Sequence, residues 1–132
     1  MADRDRVTMR TPLGRIRHLG SARSGTQHFW RQRLTSVANV PLTIAAVAII
    51  VSLFGSNHAA VVKILGSTFV AIVMLLFIVT SVYHMWLGMQ VIIEDYVHDE
   101  RLKFMTLMAN TFFCVTVGIT AMFAILNLSF GV

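Results

Sequence analysis

An all-α membrane protein with three transmembrane helices is the fold class this sequence predicts. Two observations point there. The hydrophobic fraction is 56% and the charged fraction 13%, whereas soluble domains run near 45–50% apolar and about 25% charged. The charges are also segregated: eight of the eleven Lys/Arg precede Leu34, Lys63 alone lies between Arg33 and Glu94, and none follows Lys103. Three uncharged stretches in 132 residues leave little for a soluble domain.

A basic N-terminal arm, residues 1–32, precedes a three-helix membrane unit, 33–132. Pro12, Gly14, Gly20 and Ser21 interrupt any periodicity in residues 1–24, which read as mostly irregular. The first span is expected over about 34–54, a length of ~31 Å as a helix, close to the hydrocarbon thickness. Pro41 lies inside it, which membrane helices tolerate. Gly55-Ser56-Asn57-His58 signals a turn.

The second span is expected over about 60–93. As one helix it measures roughly 50 Å, too long for the hydrocarbon alone, so tilt and a projecting C-terminal end are expected. Glu94 to Lys103 is a charged connection, and the third span covers about 104–130.

Charge also limits function. A net charge of +5 could suggest nucleic acid, but the basic residues stand just ahead of a span, where they report topology and contact with anionic membrane lipid. No nucleic-acid partner is expected. With three spans, the N-terminus and the second connection share a side, and the positive-inside rule makes it the cytoplasm, or the matrix of an organelle. Cys114 is the one cysteine, so no Cys cluster supports zinc or an iron–sulfur centre. A charged N-terminal region followed by a full-length span is not a signal peptide.

His84 is the most informative residue, because an ionisable group within a membrane span is costly and calls for a function. His84, Gly88, Val91 and Asp95 share a helix face. An imidazole is a good axial ligand for haem iron, and Gly88 removes a side chain where a flat macrocycle would approach. The ligand's other nitrogen needs a partner, and the Thr80 carbonyl or hydroxyl, one turn back, is a candidate. The same pattern fits a histidine hydrogen-bonded to a neighbouring helix. His18, His28, His58 and His98 lie outside the spans, so a second imidazole would have to come from another polypeptide.

Asp95 and Tyr96 follow His84 by ~18 Å of helix. A phenol is neutral at pH 7 and can donate to a quinone carbonyl, while a carboxylate beside it can hold an Arg or water. Tyrosine is equally a common interfacial anchor. Arg33, with His28 nearby, could meet a haem propionate or simply anchor the first span in the headgroups.

Two motifs carry a family resemblance. His84-Met85-Trp86-Leu87-Gly88-Met89-Gln90, continuing to Asp95-Tyr96, matches an H-x-x-x-G pattern with D-Y seven and eight residues beyond the glycine. Gly25-Thr26-Gln27-His28-Phe29-Trp30-Arg31-Gln32-Arg33-Leu34-Thr35 is similar to the segment entering the first span. Over roughly residues 25–132 the chain resembles the D-type hydrophobic membrane anchor subunits of succinate dehydrogenase, respiratory complex II.

The resemblance implies that His84 is one of two axial ligands of a haem b, the other coming from a C-type anchor subunit. It implies that Arg33, with His28, faces a haem propionate, and that Tyr96, with Asp95 beside it, binds ubiquinone. The implied partners are that C-type anchor, an iron-sulfur subunit and a flavoprotein subunit. The implied place is a bacterial inner membrane or the mitochondrial inner membrane, and the chain alone is no enzyme. A fumarate reductase-type anchor using menaquinol, and a structural three-span protein without haem, are the alternatives.

Overall fold

The computed structural model describes residues 24–130; the irregular arm expected over 1–24, His18 included, lies almost wholly outside them. Four helices follow in order: α1 Ser24–Ser52, α2 His58–Leu65, α3 Thr68–Tyr96 and α4 Glu100–Phe130. Among the described residues there are no strands. Helices α1, α3 and α4 are each long and apolar enough to cross a membrane. The predicted all-helical, three-span architecture is therefore what the chain adopts.

The helix ends have local causes. α1 begins ten residues before the apolar stretch, because Ser24–Arg33 holds no proline and its one glycine, Gly25, falls in the first turn, where it costs little. It ends in a turn in which the Leu53 and Phe54 amides donate to the Ile50 and Val51 carbonyls, at 3.1 Å each. Gly55 closes that turn at φ 77°, a conformation open to glycine. α4 starts at Glu100, not Phe104, because the Asp99 carboxylate accepts from the Leu102 amide at 2.8 Å and caps it.

The second span is divided, which corrects the expected single helix. Asn57 caps α2 by accepting from the Ala60 amide at 2.9 Å. Gly66 and Ser67 then separate α2 from α3. The excess length was expected at the C-terminal end, yet eight residues of it form α2 at the N-terminal end. The corner rests on α4: a Cβ at Gly66 would lie 2.7 Å from the Leu128 carbonyl oxygen. Gly66→Ala is expected to lift the corner and cost about 1–3 kcal/mol, as overpacking does. Thermal unfolding of the assembled protein checks it, and an unchanged midpoint would show the corner free to move.

The three long helices form a row. α3 packs against both α1 and α4, and α1 does not touch α4. Contacts favour small residues: Ala46 and Ala71 are buried, and a Cβ at Gly118 would sit 3.4 Å from Val82 Cγ1. Polar side chains tie α3 to α4. The Trp86 indole donates to Thr111 Oγ1 at 3.1 Å. Asn110 donates to the Trp86 carbonyl at 3.2 Å and accepts from Cys114 Sγ at 3.4 Å. Only 6–11% of the apolar stretch of each span is buried within the chain, so lipid or another subunit must cover the rest.

Candidate functional site

α1 and α3 meet along a polar seam. His28, Gln32, Thr35 and Asn39 recur at helical spacing and share one face of α1. Ser81, His84, Gly88 and Val91 do the same on α3. Ser81 Oγ donates to Asn39 Oδ1 at 3.3 Å. Thr35 Oγ1 lies 3.0 Å from His84 Nδ1. Gln32 is the nearest neighbour of Gly88, its Nε2 lying 3.6 Å from where a Cβ would stand.

The partner of His84 is therefore Thr35, not Thr80. The Thr80 hydroxyl donates to the Leu76 carbonyl of its own helix at 2.8 Å. A carbonyl one turn back is already held in the helix ladder, whereas the Thr35 oxygen on the facing helix lies within hydrogen-bond reach of the ring. Thr35 itself is 9% exposed. With Nδ1 engaged, Nε2 is the nitrogen left for another ligand.

Toward the α3 C-terminus the seam opens into a groove of about 620 Å³ lined by Gly25, His28, Phe29, Gln32, Arg33, Gln90, Val91 and Glu94. The Arg33 guanidinium lies over the Phe29 ring, 4.7 Å from its centroid, a cation–π contact that orients it. Gln90 Nε2 donates to Glu94 Oε1 at 2.9 Å. His28 Nε2 and Gln32 Oε1 are buried and have no hydrogen-bond partner. Such orphans are rare and costly, so each marks a position where a polar group of something else fits.

The expected site residues fall into two places. His84, Gly88, His28 and Arg33 gather along the seam and its groove. Tyr96 and Asp95 end α3 and do not line the groove; Tyr96 is 77% exposed. Thr35, Gln32, Gln90 and Glu94 belong to the site geometry and were not singled out from the sequence. The helical spacing of His28, Gln32, Thr35 and Asn39 was the signal available. Among the described residues no three His, Cys, Asp or Glu side chains converge.

Residues 7–118 match the model of the succinate dehydrogenase/fumarate reductase transmembrane subunit family. The chain belongs to that family. It is 29% identical to the succinate dehydrogenase hydrophobic membrane anchor subunit of Rickettsia bellii, over 80% of this chain and 85% of the relative. It is 30% identical to the anchor subunit of Rickettsia conorii, over 76% of this chain and 81% of the relative. With the anchor subunit of Paracoccus denitrificans it shares 29% identity, over 70% of this chain and 72% of the relative. No solved structure matches it. The matched stretch takes in the whole seam and groove of this transmembrane subunit.

Proposed function

We infer that this membrane anchor subunit of succinate dehydrogenase shares a haem b with a second anchor and contributes to a ubiquinone-reduction site. The observation that carries the reading is the His84 ring, held through Nδ1 by Thr35 at 3.0 Å. That leaves Nε2 to ligate, inside a span where a histidine needs a reason. The orphaned His28 Nε2 and Gln32 Oε1 support a bound group with polar arms in the groove. A carboxylate arm suits the His28 donor and the Arg33 guanidinium. Gly88 keeps the α3 backbone bare one turn from His84.

These residues fit a haem: His84 would hold the iron, and Arg33, His28 and Gly88 would receive the propionates and the ring edge. Bound there, the haem supplies a one-electron redox centre within the membrane. Tyr96 would donate its hydroxyl to a quinone carbonyl, and Asp95 would hold water or an Arg that replenishes the proton. Tyr96 stands open at the end of α3, which suits a site completed by other subunits. The partners in this reading are a C-type anchor, an iron–sulfur subunit and a flavoprotein that oxidises succinate. The basic N-terminus lies on the cytoplasmic or matrix side of the inner membrane. The relatives named above are succinate dehydrogenase anchors, which favours succinate oxidation over fumarate reduction.

One histidine cannot supply two axial ligands, so stoichiometric six-coordinate haem should appear only when a second anchor is made with this chain. Reduced-minus-oxidised spectra of the chain alone and of the co-expressed assembly test this. Six-coordinate haem in a monomer of this chain would overturn the shared-haem reading.

A further inference from the structure

The Thr35–His84 contact carries more than a distance. A hydroxyl has one proton, and that of Thr35 has two acceptors on its own helix, the carbonyls of Arg31 at 2.9 Å and Gln32 at 3.0 Å. Back-bonding of this kind is the habit of a threonine within a helix. With its proton committed there, Thr35 Oγ1 presents a lone pair to His84 Nδ1, 3.0 Å away. The proton between them then belongs to the ring: Nδ1–H donates, Thr35 accepts, and Nε2 carries the free lone pair.

We propose that Thr35 is the positioning residue of this site, fixing the His84 tautomer and raising the basicity of Nε2 through a chain from Nδ1–H to Thr35 Oγ1 to the α1 carbonyls. The inference rests on the haem reading above. Thr35 is buried, and around it the dielectric is low, so the two successive hydrogen bonds polarise each other. Drawing the Nδ1 proton toward oxygen increases electron donation from Nε2. Stronger donation favours the ferric state and lowers the reduction potential of the iron.

The residue also couples two elements. It sits on α1, whereas the ligand sits on α3, so the ring orientation depends on the register between the two helices. A displacement of α1 along the seam would be read at the iron without touching it.

The experiment uses the assembled complex carrying Thr35→Val or Thr35→Ser. Valine matches threonine in shape and deletes the acceptor. Its haem midpoint potential should shift upward, and its low-spin electron paramagnetic resonance signal should move. Serine restores the oxygen and should return both toward the unsubstituted values. A residue that only filled space would give the opposite ranking, with valine close to normal and serine displaced. If valine prevents assembly, Thr35→Ala reads the same two quantities. Full haem content with unchanged potential and signal in the hydroxyl-free variants would overturn the proposal. Absence of haem b from the unsubstituted complex would overturn the underlying haem reading instead.

Discussion

In a complex carrying His84→Leu, the low-spin b-type haem spectrum is expected to be lost or converted to that of a five-coordinate centre. Leucine keeps the α3 span apolar, so membrane insertion should survive. The substitution also strands no buried donor, because the Thr35 hydroxyl already donates to the Arg31 and Gln32 carbonyls of its own helix. What disappears is the imidazole midway along α3. If the second axial ligand comes from another subunit, as proposed above, a five-coordinate product is an expected outcome. Visible spectra of the purified complex, with subunit content measured alongside, decide the matter. An unchanged spectrum would make His84 a packing residue bonded to Thr35 and nothing more.

Tyr96→Phe keeps the ring and removes one hydroxyl. A hydrogen bond to a partly charged oxygen is worth roughly 1.5–3 kcal/mol, or about 10- to 150-fold in rate. Succinate oxidation coupled to ubiquinone should fall within that range. Oxidation coupled to a soluble acceptor that draws electrons upstream should stay near normal, because in the proposed assembly those redox centres lie in other subunits. An interfacial anchor behaves differently: phenylalanine anchors nearly as well, so both activities would persist. The ratio of the two assays in one preparation separates the cases, and an unchanged ratio would leave Tyr96 as a belt residue.

How far the sequence reached depended on what each signal measures. Apolar length located the three spans, because the hydrocarbon core tolerates few charges whatever the tertiary detail. It did not place the Gly66 break, since the dip at Gly66-Ser67-Thr68 is short between apolar flanks and the packing partner lies some sixty residues away, at the Leu128 carbonyl. The α4 start was missed because Asp99, a cap, read as part of a charged loop. His84 was legible as an expensive residue within a span, but its partner was not. A neighbour one turn back is the nearest guess from a single helix, whereas pairing with Thr35 required knowing that α1 and α3 face each other. The polar stripe on α1 could have suggested it, since its spacing mirrors that of Ser81, His84 and Gly88.

The row arrangement of the helices has a consequence for the biogenesis of the chain. α1 leaves the ribosome first, yet its partner is α3, not the helix that completes the row. Until α3 has entered the bilayer, the stripe on α1 has no protein opposite it. His28 and Gln32 lie toward the polar end, and Thr35 satisfies its own proton on α1. Asn39 is the exception: its amide lies deeper, and the Ser81 hydroxyl that meets it is supplied later in synthesis. Insertion is thus staged, with one polar side chain waiting in the membrane for the segment that shelters it. The waiting time is set by translation of some forty residues, which at about 5–20 residues per second is a matter of seconds.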